Sequence, residues 1–305
     1  MVKNFLYVAN LWQQEKKQYV KVSTYSAYHL LLMNHLIPEF GDKVDIQEKD
    51  VQEYVLKELR KGLSEKTIKD ILIVLKMILK FGVKHGYFEY RQIDIKFPTT
   101  HDKKQIEVLT RENQRKLMDY LKDNFTFKNI GIFICLSTGL RIGELCALRW
   151  SDIDVEEGVI KVRHTIQRIY FTEGENNYTK LMIDTPKTKE SMREIPLSSD
   201  LLKIIKSISK VVNDNYFVLT NEDTPTEPRT YRNYYKRILK KLDIPYIKFH
   251  GLRHSFATRC IESNNDYKTV SVILGHSNIT TTLNLYVHPN KEQKKKCINR
   301  MLKSF

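Results

Sequence analysis

The hydrophobic periodicity of the chain changes twice, and these changes restrict the fold more than any single residue does. Apolar side chains recur at helical spacing through the first ninety residues. The predicted helices there are 4–20, Ser23–Ile37, Glu48–Arg60 and Glu65–Lys84. Pro38 and Gly41 end the second helix, Gly62 ends the third, and Ser64 is a predicted cap of the fourth. Four helices with short connections predict a compact bundle.

Helical periodicity is lost around Pro98, where a polar stretch begins, and returns after Thr110, a predicted helix cap. The predicted division is 1–90 for a helical domain, 91–108 for a linker and 109–305 for a second domain. Helices of the second domain are predicted near 110–123, 127–137, 141–148, 200–212, 228–241, 250–262, 266–274, 280–286 and 290–303. Alternation between 159 and 196, with a turn at Glu173–Asn177, predicts a small antiparallel sheet with a long hairpin. The predicted fold class is mainly α with a small antiparallel β-sheet.

A net charge of +15 favours a polyanionic partner, either nucleic acid or an acidic membrane surface, although charge alone also fits a soluble basic protein. No segment reaches the roughly 18 apolar residues of a membrane-spanning helix. The first residues lack a signal-peptide cleavage region. We therefore expect a cytoplasmic protein without a membrane partner.

The cysteines have no close-paired spacing, and three of the four lie among apolar helical neighbours. They are Cys135, Cys146, Cys260 and Cys297. This pattern predicts buried, reduced thiols and neither a zinc site nor a disulfide framework.

The second domain carries spaced groups that together can cleave a phosphodiester. They are Arg141 in Thr138-Gly-Leu-Arg-Ile-Gly-Glu-Leu145, Lys187 on the predicted hairpin, His250 and Arg253 in His250-Gly-Leu-Arg-His254, His276 in Leu274-Gly-His276, and Tyr286 ten residues later. Phosphate oxygens repel nucleophiles, and the leaving alkoxide is a strong base. Cleavage without a metal needs fixed cations, an acid and a placed nucleophile. These side chains include all three.

Arg141 follows Gly139 at a predicted helix start, where backbone N–H groups favour an anion. Arg253 lies three residues after His250, so both share one helix face. Guanidinium groups bind phosphate oxygens bidentately, which makes both arginines candidate phosphate ligands. The alternative is that either one is an ordinary surface or salt-bridged arginine.

His250 and His276 are candidate hydrogen-bonding and proton-transfer groups. His254, four residues after His250, raises a metal-binding alternative, but the intervening Gly-Leu-Arg lacks the glutamate of the zincin pattern. His254 is therefore interpreted as structural. Lys187 is the candidate acid for the leaving oxygen, with Lys189 as its rival and a solvated hairpin charge as the alternative.

Tyr286 is one of 17 tyrosines, and only its position after the Leu274-Gly-His276 motif singles it out. A phenol has a pKa of ~10. It therefore needs a proton acceptor and nearby cations to attack at neutral pH.

These motifs resemble those of the tyrosine recombinases, the phage integrase family, over nearly the whole chain. The resemblance implies a helical core-binding domain at 1–90 and a mixed α/β catalytic domain at 109–305, which form a C-shaped clamp around double-stranded DNA. It implies that strand cleavage leaves a 3′-phosphotyrosine intermediate and a free 5′-hydroxyl. Recombination would pass through a Holliday junction held by four protomers, with no ATP, metal or other cofactor.

The resemblance also implies a role for each residue. Tyr286 is the nucleophile, Arg141 and Arg253 bind the phosphate, His276 is a further donor, His250 accepts the tyrosine proton, Lys187 is the general acid, and Glu144 supports the site.

The tail at 290–305 resembles the family's C-terminal helix that docks on a neighbouring protomer, although a helix packed in cis is the alternative. Many integrases of the family carry an additional N-terminal arm-binding domain, whereas this sequence begins directly in the predicted bundle. We therefore expect either recombination at simple sites or arm binding that is missing for another reason. The Leu-Asn-Leu-Tyr286 sequence favours an integrase of a mobile element over a chromosome or plasmid dimer resolvase. An accessory DNA-bending or directionality factor is a further potential partner.

Two other functions fit the same residues. A type IB topoisomerase relaxes supercoils with a similar constellation, but the tail helix favours assembly. A catalytically silent DNA-binding protein would not need Arg141, Arg253 and Tyr286 together. Covalent attachment to DNA distinguishes an enzyme from a binder, and recombinant products distinguish a recombinase from a topoisomerase.

Overall fold

The computed structural model describes residues 3–98, 107–173, 176–186 and 189–283, together with 295, 298, 299, 301 and 302. The chain divides into two compact units. One comprises Met1–Lys103 with Ile169–Lys180, and the other comprises Lys104–Arg168 with Leu181–Phe305. Helices predominate over two small sheets, so the predicted fold class is confirmed. None of the described helices is long and apolar enough to span a membrane.

The first unit is built on helices with clear capping residues. Its helices are α1 (Phe5–Tyr19), α2 (Val22–Leu31), α3 (Ile37–Phe40), α4 (Glu48–Arg60) and α5 (Glu65–Lys84). Ser64 Oγ accepts a hydrogen bond from the Thr67 N–H at 3.1 Å, which pairs one otherwise orphaned donor of α5. The predicted bounds of α4 and α5 are confirmed. The apolar core includes Phe5, Trp12, Leu32, Phe40, Tyr54, Ile68, Ile71 and Ile78.

The second predicted helix continues three residues further than its predicted end. A π-helical turn at Leu32–Leu36 joins α2 to α3, and the chain stays helical to Phe40. Pro38 lies in the first turn of α3, where the missing N–H costs least. Pro38 therefore lies within a helical segment that begins at Ile37 and ends at Phe40, just before Gly41.

The segment that follows α5 packs on the first unit through residue 97. The side chain of Gln52 exchanges two hydrogen bonds of 3.0 Å with the backbone N–H and carbonyl of Lys96. Ile95 and Phe97 pack against the apolar core. This part of the predicted linker thus contributes to the bundle.

The second unit combines helices with strands. Its helices are α6 (Arg111–Asp123), α7 (Phe127–Thr138), α8 (Ile142–Cys146), α9 (Ser199–Ser209), α10 (Pro228–Lys241), α11 (His250–Glu262), α12 (Tyr267–Leu274) and α13 (Ile279–Leu283). The strands of the chain are β1 (Ile153–Asp154), β2 (Val159–Val162), β3 (Thr165–Glu173), β4 (Asn176–Asp184) and β5 (Arg193–Pro196).

The strands form two sheets, whereas the sequence predicted one. In the first sheet β2 is antiparallel to both neighbours, and Ile160 pairs with Ile153 of β1 and Ile195 of β5. All three isoleucines are buried, so one face of this sheet joins the core. β3 and β4 pair separately as a hairpin. β1 was not predicted because two residues are too few for alternation to be recognised.

Helix α7 is enclosed by the rest of the second unit. Nine of its twelve residues are buried, and it packs against α11. At Gly131 a Cβ would lie 2.4 Å from the hydroxyl of Tyr231 on α10, so only glycine allows this approach. The enclosure fixes the end of α7 at Thr138, where the candidate site begins.

Candidate active site

The site begins in the turn between α7 and α8. Gly139 ends α7 with φ of +67°, a conformation that side chains disfavour. A Cβ at Gly139 would lie 2.6 Å from Leu274 Cδ2 and 2.7 Å from Phe256 Cδ1, so the glycine also allows α11 and α12 to approach. The next turn leads into α8, with Arg141 as its N-cap.

Glu144 holds Arg141 through both the backbone and the side chain. The Arg141 N–H donates to Glu144 Oε2 at 2.9 Å, and Arg141 Nη1 donates to Glu144 Oε1 at 2.7 Å. Arg141 Nη2 donates to the carbonyl of Gly275 at 2.9 Å. Glu144 is 4% exposed, whereas the Arg141 side chain is 35% exposed. The guanidinium is therefore fixed on one side and open to an anion on the other.

Arg253 extends from α11 to the same place and is almost completely buried, with 2% exposure. Its Nη1 donates to the Gly139 carbonyl at 2.9 Å and its Nη2 to the Leu274 carbonyl at 2.7 Å. Burial, together with the repulsion of Arg141, lowers the pKa of Arg253 to about 9. The guanidinium therefore remains charged at neutral pH.

The structure adds a residue that the sequence analysis did not single out, Arg193 of β5. Its Nη1 and Nη2 donate to Glu144 Oε1 and Oε2 at 3.1 and 3.0 Å, and its Nε donates to the Ile273 carbonyl at 2.6 Å. Strand alternation was the available signal, since Arg193 shares a strand face with the buried Ile195. The sequence analysis placed Arg193 in a predicted strand and assigned it no role.

The C-terminal end of α12 binds the side chains of Arg141, Arg193 and Arg253, the arginine cluster. In the described part of the chain, three consecutive carbonyls accept hydrogen bonds from three arginines. These pairs are Ile273 with Arg193, Leu274 with Arg253, and Gly275 with Arg141. Carbonyls of a last helical turn lack intrahelical partners and carry the negative end of the helix dipole. They stabilise guanidinium groups that would otherwise repel one another.

His250 and His254 contact each other in the first turns of α11. Their rings are perpendicular, with centroids 4.6 Å apart. Partial burial lowers the pKa of His250 to about 4, and the positive charges of His254 and Arg253 act in the same direction. Part of His250 remains solvent-exposed. The ring is therefore neutral at pH 7 and able to accept a proton.

His276 follows α12 directly and lies next to the arginine cluster. Partial burial, with the charges of Arg253 and Arg141, lowers its pKa to about 4. His276 Nδ1 lies 2.8 Å from the hydroxyl oxygen of Thr282, a residue with no exposed surface. This contact fixes the ring plane, and either atom can donate in it.

Several sequence-predicted groups lie outside the described residues. They are Lys187, Tyr286 and most of the tail at 290–305. Lys189 begins a short 3₁₀ helix at Lys189–Ser191. The structure thus brings together Arg141, Glu144, Arg253, His250 and His276 of the predicted set, which the sequence had placed in separate motifs.

The arrangement suits a small, multiply charged anion. Arg141 and Arg253 carry positive charge, and Glu144 carries the negative charge next to them. Arg141 can hydrogen-bond further acceptors, because in the described structure the side chain uses two of its five N–H groups. Two neutral imidazoles nearby can donate or accept a single proton. Together these groups can hold a phosphate and move a proton beside it.

Comparisons with known proteins identify relatives along most of the chain. Residues 107–293 match the phage integrase family, and residues 4–59 match the N-terminal SAM-like domain of phage integrases. A tyrosine recombinase XerC-like protein of Caldanaerobacter subterraneus subsp. tengcongensis is 32% identical over 285 residues, covering 86% of this chain and 72% of the relative.

Two further relatives come from transposons. The transposase of Tn916 from Enterococcus faecalis is 28% identical, and the match covers 80% of this chain but 63% of the transposase. The Tn1549 transposon integrase, solved in complex with transposon right end DNA, is 26% identical with a TM-score of 0.76. That likeness covers 97% of this chain and 99% of the solved one.

Proposed function

Because this chain belongs to the phage integrase family of tyrosine recombinases, we propose that it is the site-specific recombinase of a mobile element. It is an enzyme that cleaves and rejoins DNA strands by transesterification. Likeness to the transposases of Tn916 and to the Tn1549 integrase supports the mobile-element assignment. The single observation that carries the mechanism is the arginine cluster at the end of α12, which is built to hold a phosphate.

Cleavage starts when the phenol oxygen of Tyr286 attacks the phosphorus of the scissile phosphate. A Tyr286 O–P bond forms, the bond from phosphorus to the 5′ oxygen breaks, and a 3′-phosphotyrosine remains. Lys187 gives a proton to the departing 5′ oxygen. In the rejoining step a 5′-hydroxyl from the partner strand attacks the phosphotyrosine, which releases Tyr286. The number of phosphoester bonds is conserved, so no step needs ATP.

Arg141 and Arg253 stabilise the phosphorane-like transition state. Two guanidinium groups next to the phosphate offset the negative charge that grows on its non-bridging oxygens. Both are fixed before DNA arrives, since the carbonyls of Gly275 and Leu274 and the carboxylate of Glu144 hold them. Preorganised donors need no rearrangement at the moment of reaction.

His250 accepts the phenolic proton as Tyr286 attacks. Its lowered pKa, about 4, leaves the ring unprotonated at neutral pH, the state that a proton acceptor needs, and also makes it a weaker base than an ordinary imidazole. His276 is a further phosphate donor. If its Nδ1 accepts from the Thr282 hydroxyl, the proton of the neutral ring is on Nε2, which can then donate to a phosphate oxygen.

We assign the domains by function. Residues 1–90, with the segment through residue 97 that packs on them, form the core-binding domain. The rest of the predicted linker at 91–108 connects it to the catalytic domain at 109–305. Together they bind the double-stranded recombination site. Two rounds of strand exchange pass through a Holliday junction held by four protomers, whose tails at 290–305 dock on their neighbours. The net charge of +15 supports DNA as the partner.

A covalent-trapping assay tests this function. Purified protein in EDTA is incubated with nicked duplexes tiled from the DNA flanking its gene, and adducts that resist SDS are sequenced. Tyr286→Phe is the matched control because it removes one oxygen and keeps the ring. We expect a site-specific adduct with the wild type and none with Tyr286→Phe, while both bind DNA.

Two results would contradict the proposal. An adduct that persists in Tyr286→Phe would reassign the nucleophile. Tight DNA binding without any adduct, on tiles that include both ends of the element, would indicate a protein that binds DNA without cutting it. Exchange between two adduct-forming sites distinguishes a recombinase from an enzyme that only relaxes supercoils.

A further inference from the structure

We propose that Arg193 is a positioning residue for the cleavage reaction: it neutralises and orients Glu144, so that the charge of Arg141 remains available to the scissile phosphate. The inference rests on the function proposed above. It concerns a residue that belongs to none of the motifs by which the site was found.

Arg193 cannot act on the phosphate itself. Its side chain is 5% exposed, and its donors face protein acceptors in the buried layer below Arg141. Besides Glu144 and Ile273, its Nη1 donates to the carbonyl of Ser191 at 3.0 Å. Arg193 uses four of its five N–H groups on protein acceptors, whereas the described structure shows two such bonds for Arg253, so we infer that Arg193 acts through the groups that it holds.

The geometry divides the Glu144 carboxylate between two arginines. Arg193 takes both oxygens in a fork-to-fork pair, with distances of 3.1 and 3.0 Å. Arg141 uses one Nη atom and its backbone N–H. A bidentate guanidinium–carboxylate pair is the stronger and more directional of the two arrangements. Arg193 is therefore the main counter-charge of Glu144, and one positive charge is left over on Arg141.

Arg193 also fixes the helix end that carries the phosphate ligands. Its Nε bonds the Ile273 carbonyl, and the next two carbonyls hold Arg253 and Arg141. Gly275 permits this contact, since a Cβ there would lie 3.0 Å from Arg193 Cδ and 2.9 Å from the carbonyl of Glu190. The Arg193 side chain thus fixes both the Glu144 carboxylate and the end of α12, and Arg141 bonds to each of them.

Loss of Arg193 would leave a buried carboxylate with a single guanidinium partner. Burial raises the pKa of Glu144, whereas the hydrogen bonds and charge of Arg193, with Arg141, outweigh this effect and hold it below its ordinary value. Without Arg193 the carboxylate either takes up a proton or draws Arg141 more tightly onto itself. A protonated Glu144 no longer holds the Arg141 guanidinium in place, and an ionised Glu144 competes with the phosphate for it, so both outcomes weaken the contact between Arg141 and the phosphate.

The test compares Arg193→Gln and Arg193→Lys with the wild type in the trapping assay, under single-turnover conditions across a range of pH. For Arg193→Gln we expect adduct formation to slow by about 10²-fold, similar to the loss of one transition-state donor, with DNA affinity changed by less than about threefold. The acidic limb of its pH–rate profile should move to higher pH, because Glu144 protonates more easily. Arg193→Lys keeps the positive charge but loses the bidentate guanidinium. Its pH–rate profile should therefore keep the wild-type acidic limb, with a rate of adduct formation between those of the wild type and Arg193→Gln.

Arg259→Gln is the control for disturbance of a half-buried arginine network in the same unit. Arg259 bonds Gln114, Glu262 and the Leu109 carbonyl, and none of these contacts involves Glu144. We expect Arg259→Gln to leave the acidic limb in place even if it lowers the melting temperature.

The inference is wrong if folded Arg193→Gln cleaves within about threefold of the wild type or keeps its acidic limb. It is also wrong if Arg259→Gln moves the limb equally. Failure of the wild type to form any adduct would instead contradict the proposed function, whatever Arg193 does.

Discussion

Arg141 and Arg253 donate to adjacent backbone carbonyls, those of Gly275 and Leu274, at 2.9 and 2.7 Å. The two residues come from different helices and are far apart in sequence. Their guanidinium groups are nevertheless both held by two consecutive peptide units at the end of α12. The spacing of the two cations is therefore set by backbone, which varies less than side-chain rotamers do.

Arg141→Lys should reduce adduct formation by about 10²-fold while DNA affinity changes little. An ammonium group has three N–H donors and no planar fork, so after bonding Glu144 and the Gly275 carbonyl it keeps at most one donor for a phosphate, where Arg141 keeps three. Single-turnover cleavage of a nicked substrate measures the effect. Arg149→Lys, which changes an arginine that makes none of these contacts, is the control. A near-normal rate for Arg141→Lys would remove Arg141 from the phosphate site.

Thr282→Val should slow cleavage, and Thr282→Ser should restore it. Valine keeps the shape of threonine but loses the hydroxyl that lies 2.8 Å from His276 Nδ1, so the ring loses its orientation and tautomer. We expect a reduction of about tenfold or more, measured as the single-turnover rate. Equal rates for the two variants would show that the hydroxyl is not used.

Gly139→Ala should destabilise the protein by about 2 kcal/mol or more and slow cleavage. Alanine at φ of +67° is strained, and its Cβ would overlap Leu274 and Phe256, which shifts the carbonyl that Arg253 binds. Gly158→Ala is a matched control, since φ there is +68° but a Cβ would meet Leu202 at an ordinary 3.4 Å. It should cost about 1 kcal/mol and leave cleavage unchanged. Chemical denaturation measures both, and similar losses would contradict the steric argument.

The melting temperature should fall as pH decreases from about 6.5 to about 4, before most carboxylates protonate. In this window the unfolded chain takes up protons at His250 and His276, whereas the folded chain, with both pKa values lowered to about 4, does not. Protons therefore favour unfolding as pH falls. His276→Asn should reduce the slope of melting temperature against pH. An unchanged slope would show that His276 is not protected in the folded state.

Lys187→Ala should be rescued by a substrate whose 5′ leaving oxygen is replaced by sulfur. A thiolate departs without protonation, so the missing acid no longer limits the rate. Lys189→Ala should show no such selective rescue. The ratio of cleavage rates on the sulfur and oxygen substrates measures the effect, and the opposite pattern would assign the acid to Lys189.

The helical framework could be predicted because it depends on local pattern. The stripe of α5 and the caps at Ser64 and Thr110 are visible in the sequence, and the helices they imply are present. Pro38 misled the prediction because a π turn lets the helical path continue past it. β1 was not predicted, because its two residues form a strand only through pairing with β2.

The site was predictable where a residue stands in a recognisable setting. Arg141, Arg253 and His276 each follow or precede a glycine or histidine at short spacing, and the structure brings them together. Arg193 was missed because its importance comes from burial against Glu144, across 49 residues of sequence. The positive charge of Arg193 does not indicate which residues pack around its side chain. The roles of Tyr286 and Lys187 stay predictions.

The end of α12 is also the last part of the arginine scaffold in chain order. Its carbonyls join residues up to 134 positions apart, and no shorter piece of the chain contains all the partners. A protein still being synthesised, or one truncated ahead of α12, can carry Arg141, Glu144, Arg193 and Arg253 without the scaffold that aligns them. Copies of this recombinase that end before α12 should therefore lack an ordered phosphate site.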